Sequence, residues 1–278
     1  MITKASPAKV NLYLRVLRKR KDGYHDLLSL MQRISLFDEL TFSPGQGRIL
    51  VRCPGAALPE DEGNIVYRAA AAFFSRIAAP SGVEITIRKR IPVAAGLGGG
   101  SSNAATTLMT LNELSGSPLT RKALMRIGAG LGADVPFFIF EKTAWASGIG
   151  NRLVEAPPLP PLWFVLINPG FGISTKMVYQ KLNLGLTSGI INYSIPRFYT
   201  ADDLIRGLTN DLEKVTVGLH PVLDHFKVLL MNNGARGALM SGSGPTVFGI
   251  FTDEESAFAA EKNLKQKNRW SVLGAHSL

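Results

Sequence analysis

Four glycines within five residues, Gly96, Gly98, Gly99 and Gly100, lead straight into Ser101, Ser102 and Asn103 in the stretch PVAAGLGGGSSNAA, residues 92–105. Glycine has no Cβ, so such a loop can adopt left-handed dihedrals and bring backbone N–H groups close to a ligand. Upstream, Val83, Ile85 and Ile87 alternate with Glu84, Thr86 and Arg88, the pattern of a strand. Downstream, Ala105, Leu108, Met109, Asn112 and Leu114 fall near one side of a helix that should stop at Gly116, with Pro118 beyond. A strand, a glycine loop and a helix start make an anion site, because the first N–H groups of a helix lack intrahelical acceptors and its dipole favours negative charge. The expected ligand is a triphosphate. The loop is not a P-loop, since no Lys precedes Ser101, and it lacks G-x-G-x-x-G spacing. The plainer alternative is a flexible surface loop.

The four histidines, His25, His220, His225 and His276, have no zinc-like spacing with the one cysteine, Cys53, so no metal site is expected from them.

The elements around these residues must come from a chain of 278 residues, 46% of them hydrophobic, enough for a sizeable core in one or two domains. A single cysteine rules out an intrachain disulfide and fits a reducing cytoplasm. No apolar run approaches the roughly 20 residues of a membrane span, and the N-terminal residues do not have the form of a secretory signal. A net charge of +10 suits anionic partners; two basic clusters, residues 18–21 and 88–90, stand out.

Along the chain, strands are expected at residues 10–16, 26–35, 38–43 and 49–53, with a charged turn at 18–24 built on Asp22-Gly23. Asn64 caps a helix carrying Val66, Ala69, Ala70, Phe73 and Ile77. Thr120 caps another, broken by Gly130 and Gly132. Residues 137–140 and 143–147 read as short buried strands. Pro157, Pro158, Pro160 and Pro161 mark the most linker-like stretch, which divides the chain into an N-terminal domain, 1–156, and a C-terminal domain, 157–278. The second half reads as a strand at 162–167, a helix from Ser174 or Thr175, an unassigned stretch at 184–200, a helix at 221–231, strands at 238–240 and 246–251 around SGSGP, a helix at 253–267 and a strand at 270–274. That β-α-β-β-α-β order suggests a ferredoxin-like sandwich.

Three stretches in order, PAKVNLYL (residues 7–14), PVAAGLGGGSSNAA (92–105) and SGSGPTVFGIF (241–251), resemble the GHMP kinase superfamily, which phosphorylates small metabolite alcohols with ATP. DGYH (22–25), GADVPFF (132–138) and NPGFGISTKMVY (168–179) are similar to the branch whose acceptor carries a cytidine diphosphate moiety. The resemblance implies an α+β fold of two domains. The first is a β-α domain with a left-handed βαβ-type crossover, and the second a ferredoxin-like α/β sandwich. It places ATP on Pro92, Val93, Ala94, Ala95, Gly96, Leu97, Gly98, Gly99, Gly100, Ser101 and Ser102. It makes Asp134, expected to be buried and ionised, the acceptor of the substrate hydroxyl's proton, and Lys9 its charge-stabilising partner. Asn11, Tyr24, His25, Thr175 and Tyr179 become substrate-binding, with the aromatic rings sandwiching the base and the His25 segment reading its edge. Residues 241–244 would close the site from the second domain.

Mg²⁺ is expected with ATP; no protein ligand is assigned, Ser102 being the one hydroxyl considered. The further expectations are a cytoplasmic monomer or weak homodimer without nucleic-acid or membrane partners. The sequence departs from the family at Ala94 and Ala95, where glycine occurs in some relatives, at Met31, often aromatic, and at Tyr179, where phenylalanine is common. Two alternatives compete. One is a superfamily kinase for homoserine or a mevalonate-type alcohol, against which Tyr24, His25 and Tyr179 argue. The other is a basic RNA-binding module, which would need more than the single turn at residues 18–21.

Overall fold

The computed structural model describes residues 1–77, 82–182, 193–267 and 270–278. In chain order the elements are β1 (Ile2–Lys19), β2 (His25–Pro44), β3 (Ile49–Arg52), α1 (Ile65–Ile77), β4 (Val83–Arg88), α2 (Gly99–Leu114), α3 (Arg121–Leu131), α4 (Val135–Phe140), β5 (Ala144–Gly148) and β6 (Arg152–Glu155). They continue with β7 (Trp163–Asn168), α5 (Thr175–Lys181), α6 (Ala201–Arg206), β8 (Thr209–Asn210), α7 (Glu213–Leu219), α8 (Val222–Asn232), β9 (Gly237–Met240), β10 (Val247–Phe251), α9 (Glu254–Lys267) and β11 (Ser271–His276).

Two compact units divide these elements. One comprises Met1–Ala8, Phe37–Ile91 and Gly98–Glu141, the other Lys9–Leu36, Pro92–Leu97 and Lys142–Leu278. In the first, β3 and β4 run parallel (Ile49↔Val83) and are joined through α1, a β-α-β crossover, while β4 pairs antiparallel with the C-terminal part of β2 (Leu40↔Ile87). Helix α1 begins where Asn64 Oδ1 accepts the Val66 amide at 2.9 Å. It buries Val66, Ala69, Ala70 and Phe73 and packs on α2 and α3. Thr120 caps α3 by accepting the Ala123 amide at 3.3 Å.

In the second unit, the N-terminal part of β2 pairs antiparallel with β5 (Met31↔Ala144), β5 pairs with β6, and β1 pairs parallel with β8 (Leu14↔Asn210). A separate antiparallel sheet has the order β11-β7-β10-β9. Counting only these four strands in sequence, that is 4-1-3-2, the ferredoxin-like order, with α8 and α9 packed on it. Its core joins Val165, Ile167, Phe226, Leu230, Val247, Phe251, Leu264 and Val272. The architecture is the expected α+β fold.

Local expectations need correction in four places. Residues 137–140 are helical, not a strand: α4 starts with Pro136 in its first turn, where a missing N–H costs nothing. A four-residue apolar run has no period to tell the two apart. The strands expected at 26–35 and 38–43 are one strand, β2, because no turn residue separates them. The strand expected at 10–16 runs from Ile2 to Lys19, taking in Pro7, and confines the charged turn to residues 20–24. Gly130 does not break α3, which ends at Gly132. Within the unassigned stretch, residues 183–192 lie outside the described residues and 193–199 are without regular structure.

Candidate active site

Strand alternation sets Lys9 and Asn11 side by side on β1, and both are buried. Lys9 Nζ donates to Asn11 Oδ1 at 2.6 Å and to the Gly96 carbonyl at 2.9 Å. Asn11 Nδ2 donates to Ser29 Oγ at 2.8 Å, and Ser29 Oγ to the Tyr13 carbonyl at 2.7 Å. An ammonium at 4% exposure is tolerable only with such oxygen partners.

The glycine stretch is held by its carbonyls. Ala94 O accepts from the Ile173 amide (3.2 Å), Ala95 O from the Thr246 amide (3.3 Å) and Leu97 O from the Lys9 amide (3.0 Å). Gly96 O also accepts from Ser241 Oγ at 2.9 Å. Positive φ recurs at Ala94 (52°), Gly96 (79°) and Gly98 (70°). Alternating left-handed residues turn successive amides toward one side, the geometry of an anion-binding nest. Gly98, in αL, is the N-cap of α2 and supplies no side chain to it. Among the described residues, the amides of Gly99, Gly100 and Ser101 meet no acceptor. Carbonyls committed inward and amides left open are what an oxyanion ligand requires. Ala94 carries the family departure in a left-handed conformation, with its Cβ against Gly172, where a methyl on Gly172 would come within 2.9 Å of it.

In the first unit, Ser102 is fully buried and its Oγ accepts from Ser6 Oγ at 2.8 Å. Ser101 Oγ lies 3.6 Å from where a Cβ on Gly132 would stand, so the turn carrying Asp134 approaches the start of α2. In that turn the Val135 amide donates to Gly132 O at 3.1 Å. Asp134 is the N-cap of α4 and is half-buried, not buried as expected, because a helix-start turn lies at the unit's surface. Pro92 and Val93 sit just ahead of the nest, Val93 exposed.

At the other end of β1, His25 is buried at 8% exposure and its ring stacks on Tyr179 with centroids 5.0 Å apart and planes 31° from parallel. His25 Nε2 has no hydrogen-bond partner among the described residues. Tyr24 is exposed at the tip of the turn, so the structure pairs two of the three expected rings. Thr175 Oγ1 and Ser243 Oγ share a 2.8 Å hydrogen bond. Burial, and next the charge of Lys19, push the His25 pKa below its ordinary 6.5. The folded ring therefore binds protons less readily than the unfolded one. The stability this contributes is present above pH 6.5 and is lost as pH falls through that value toward the lower folded pKa. Urea midpoints at neutral and mildly acidic pH should differ less for His25→Gln than for wild type; equal declines in the two proteins would contradict the assignment.

Two contributors escaped the sequence reading. Asp38 is fully buried, pairs with Lys89 and accepts the amides of Arg90 (2.8 Å) and Ile91 (2.9 Å), anchoring the run into the glycine stretch. Its signal was an acid on the inner side of an otherwise apolar strand. Ser29 gave no signal, since one hydroxyl in a strand is ordinary.

Among the described residues no group of three His, Cys, Asp or Glu side chains could hold a metal, and no helix is long and apolar enough to cross a membrane.

Residues 64–142 match the family model "GHMP kinases N terminal domain" and residues 198–269 match "GHMP kinases C terminal". The 4-diphosphocytidyl-2-C-methyl-D-erythritol kinase of Syntrophus aciditrophicus (strain SB) is 59% identical over 278 residues, covering 100% of both chains. A solved structure of 4-(cytidine 5'-diphospho)-2C-methyl-D-erythritol kinase is 34% identical, with a TM-score of 0.82 and 100% of each chain covered. The homoserine kinase of Cytophaga hutchinsonii (ATCC 33406) shares the fold at 19% identity, TM-score 0.73, over 100% of this chain and 94% of that one. With both family models matched and a relative similar along its whole length, the chain belongs to the GHMP kinases.

Proposed function

We propose that this kinase transfers the γ-phosphoryl group of ATP to the 2-hydroxyl of 4-diphosphocytidyl-2-C-methyl-D-erythritol, a step of isoprenoid precursor biosynthesis. Full-length identity to curated kinases of that name supports the reading. The observation that carries it in the geometry is the His25–Tyr179 pair with its unpartnered Nε2. Paired rings and an unpartnered ring nitrogen suit a pyrimidine base; a small aliphatic acceptor needs neither.

Phosphoryl transfer asks the protein mainly for positioning and charge stabilisation. The open amides at the start of α2 hold the triphosphate. Lys9, kept in place by Asn11 and Gly96, stabilises charge at the transferring group. Asp134 takes the acceptor's proton. Thr175 and Asn11 orient the acceptor, and Tyr24 covers the base from the turn. Mg²⁺ travels with ATP and supplies charge neutralisation through phosphate and water ligands. Ser102, the one hydroxyl considered as its ligand, is buried with its oxygen accepting from Ser6. The two family-model matches fall on either side of the boundary proposed between domains 1–156 and 157–278.

The test is ADP release with 4-diphosphocytidyl-2-C-methyl-D-erythritol, homoserine and mevalonate offered separately. Turnover is expected with the cytidylyl acceptor alone; comparable kcat/KM for homoserine or mevalonate would overturn the assignment.

A further inference from the structure

Residues 240–244 form the loop that covers Lys9. A Cβ placed on Gly242 would lie 3.4 Å from Lys9 Nζ, 3.3 Å from Asn11 Oδ1 and 3.2 Å from Gly96 O. The height of this backbone therefore bounds the space in which the ammonium sits. What sets that height is a short segment remote in sequence. Asn210, 7% exposed, donates through Nδ2 to Met240 O and to Gly242 O, both at 2.7 Å, and accepts the Leu212 amide at 3.0 Å. The same segment is fastened to the strand that bears Lys9. β8 pairs with β1 at Leu14↔Asn210, the Asp211 amide donates to Leu14 O at 2.9 Å, and Asp211 Oδ2 accepts the Val16 amide at 2.8 Å. Two more side chains grip the loop from α7: Glu213 Oε2 accepts the Met240 amide at 2.7 Å, and Thr216 Oγ1 donates to Ser243 O at 3.2 Å. One buried amide thus spans the fixed distance between β1 and the loop above it.

We infer that Asn210 is a positioning residue for phosphoryl transfer, holding Gly242 at the height that seats the Lys9 ammonium. The inference rests on the role given to Lys9 under Proposed function. Asn210→Asp keeps the size and the acceptor for Leu212 but has no N–H to offer the two carbonyls. Misplacement of a reacting group by about 1 Å can cost on the order of 100-fold. In the full-length protein, assayed well below its Tm, Asn210→Asp and Asn210→Ala should lower kcat by about 10–100-fold, with KM for ATP and for the acceptor unchanged. In a Lys9→Met background, Asn210→Ala should lower kcat no further, since both changes remove one function. Gly242→Ala, which presses on Lys9 from the loop side and leaves Asn210 intact, should reproduce the kcat loss. That variant decides the matter should the Asn210 variants not fold. Wild-type kcat in Asn210→Asp or in Gly242→Ala, or an undiminished Asn210→Ala loss in the Lys9→Met background, would overturn the inference. Wild-type kcat in Lys9→Met would overturn the reading of Lys9 itself, and this inference with it.

Discussion

Asp134→Ala is expected to lower kcat by about 10²–10⁴-fold, the usual worth of a positioned general base, while the Kd for ATP stays at the wild-type value. Asp134 lies on the turn at the start of α4, whose Gly132 stands beside Ser101, so the acid is next to the helix start proposed to hold phosphates without forming part of it. Lys9→Met should cost about 10²–10³-fold in kcat, as expected for loss of one preorganised charge donor. It also leaves Asn11 Oδ1 and Gly96 O without their ammonium partner, so the variant should be less stable by about 1–3 kcal/mol. Single-turnover kinetics with equilibrium binding of ATP separates the effects. An Asp134→Ala enzyme turning over at near wild-type rate would remove the residue from the chemistry.

Among the described glycines, Gly96 should be the one where an added methyl does most damage. Gly96 has φ of 79°, and its Cβ would stand 2.1 Å from Ser241 O, a backbone atom that cannot swing away. Left-handed strain costs about 1–2 kcal/mol, and forced overpacking roughly 1–3 more. The carbonyl of the same residue accepts both Lys9 Nζ and Ser241 Oγ, so a shift displaces the ammonium and the nest together. A fall in Tm on the order of 10 °C and loss of ATP binding are expected, by calorimetry. Gly116→Ala is the control: its φ is 78°, and among the described residues nothing lies within 4 Å of the new methyl. It should cost only the strain and leave ATP binding intact. Equal losses in the two variants would show that the close approach to Ser241 plays no part.

Local chemistry decided what could be read along the chain. The glycine run, the Asn64 and Thr120 caps, the alternation of β4 and the Asn233-Gly234 stop all act over one or two turns of backbone, so the residues that encode them are neighbours in sequence. The ordered motifs made Lys9, Asn11, His25 and Asp134 candidates for the same reason. The short apolar run 137–140 was misread because period, the only local signal, needs more residues than it has.

Tertiary structure decided the partners. That Lys9 reaches Gly96, that Asn11 rests on Ser29, that Asp38 anchors the amides of Arg90 and Ile91, and that Asn210 props the loop over the ammonium are contacts between residues up to 87 positions apart. Such pairings carry no sequence pattern. Each arises only where burial takes a polar group out of water and leaves it to find whatever oxygen or N–H the packed chain has brought beside it.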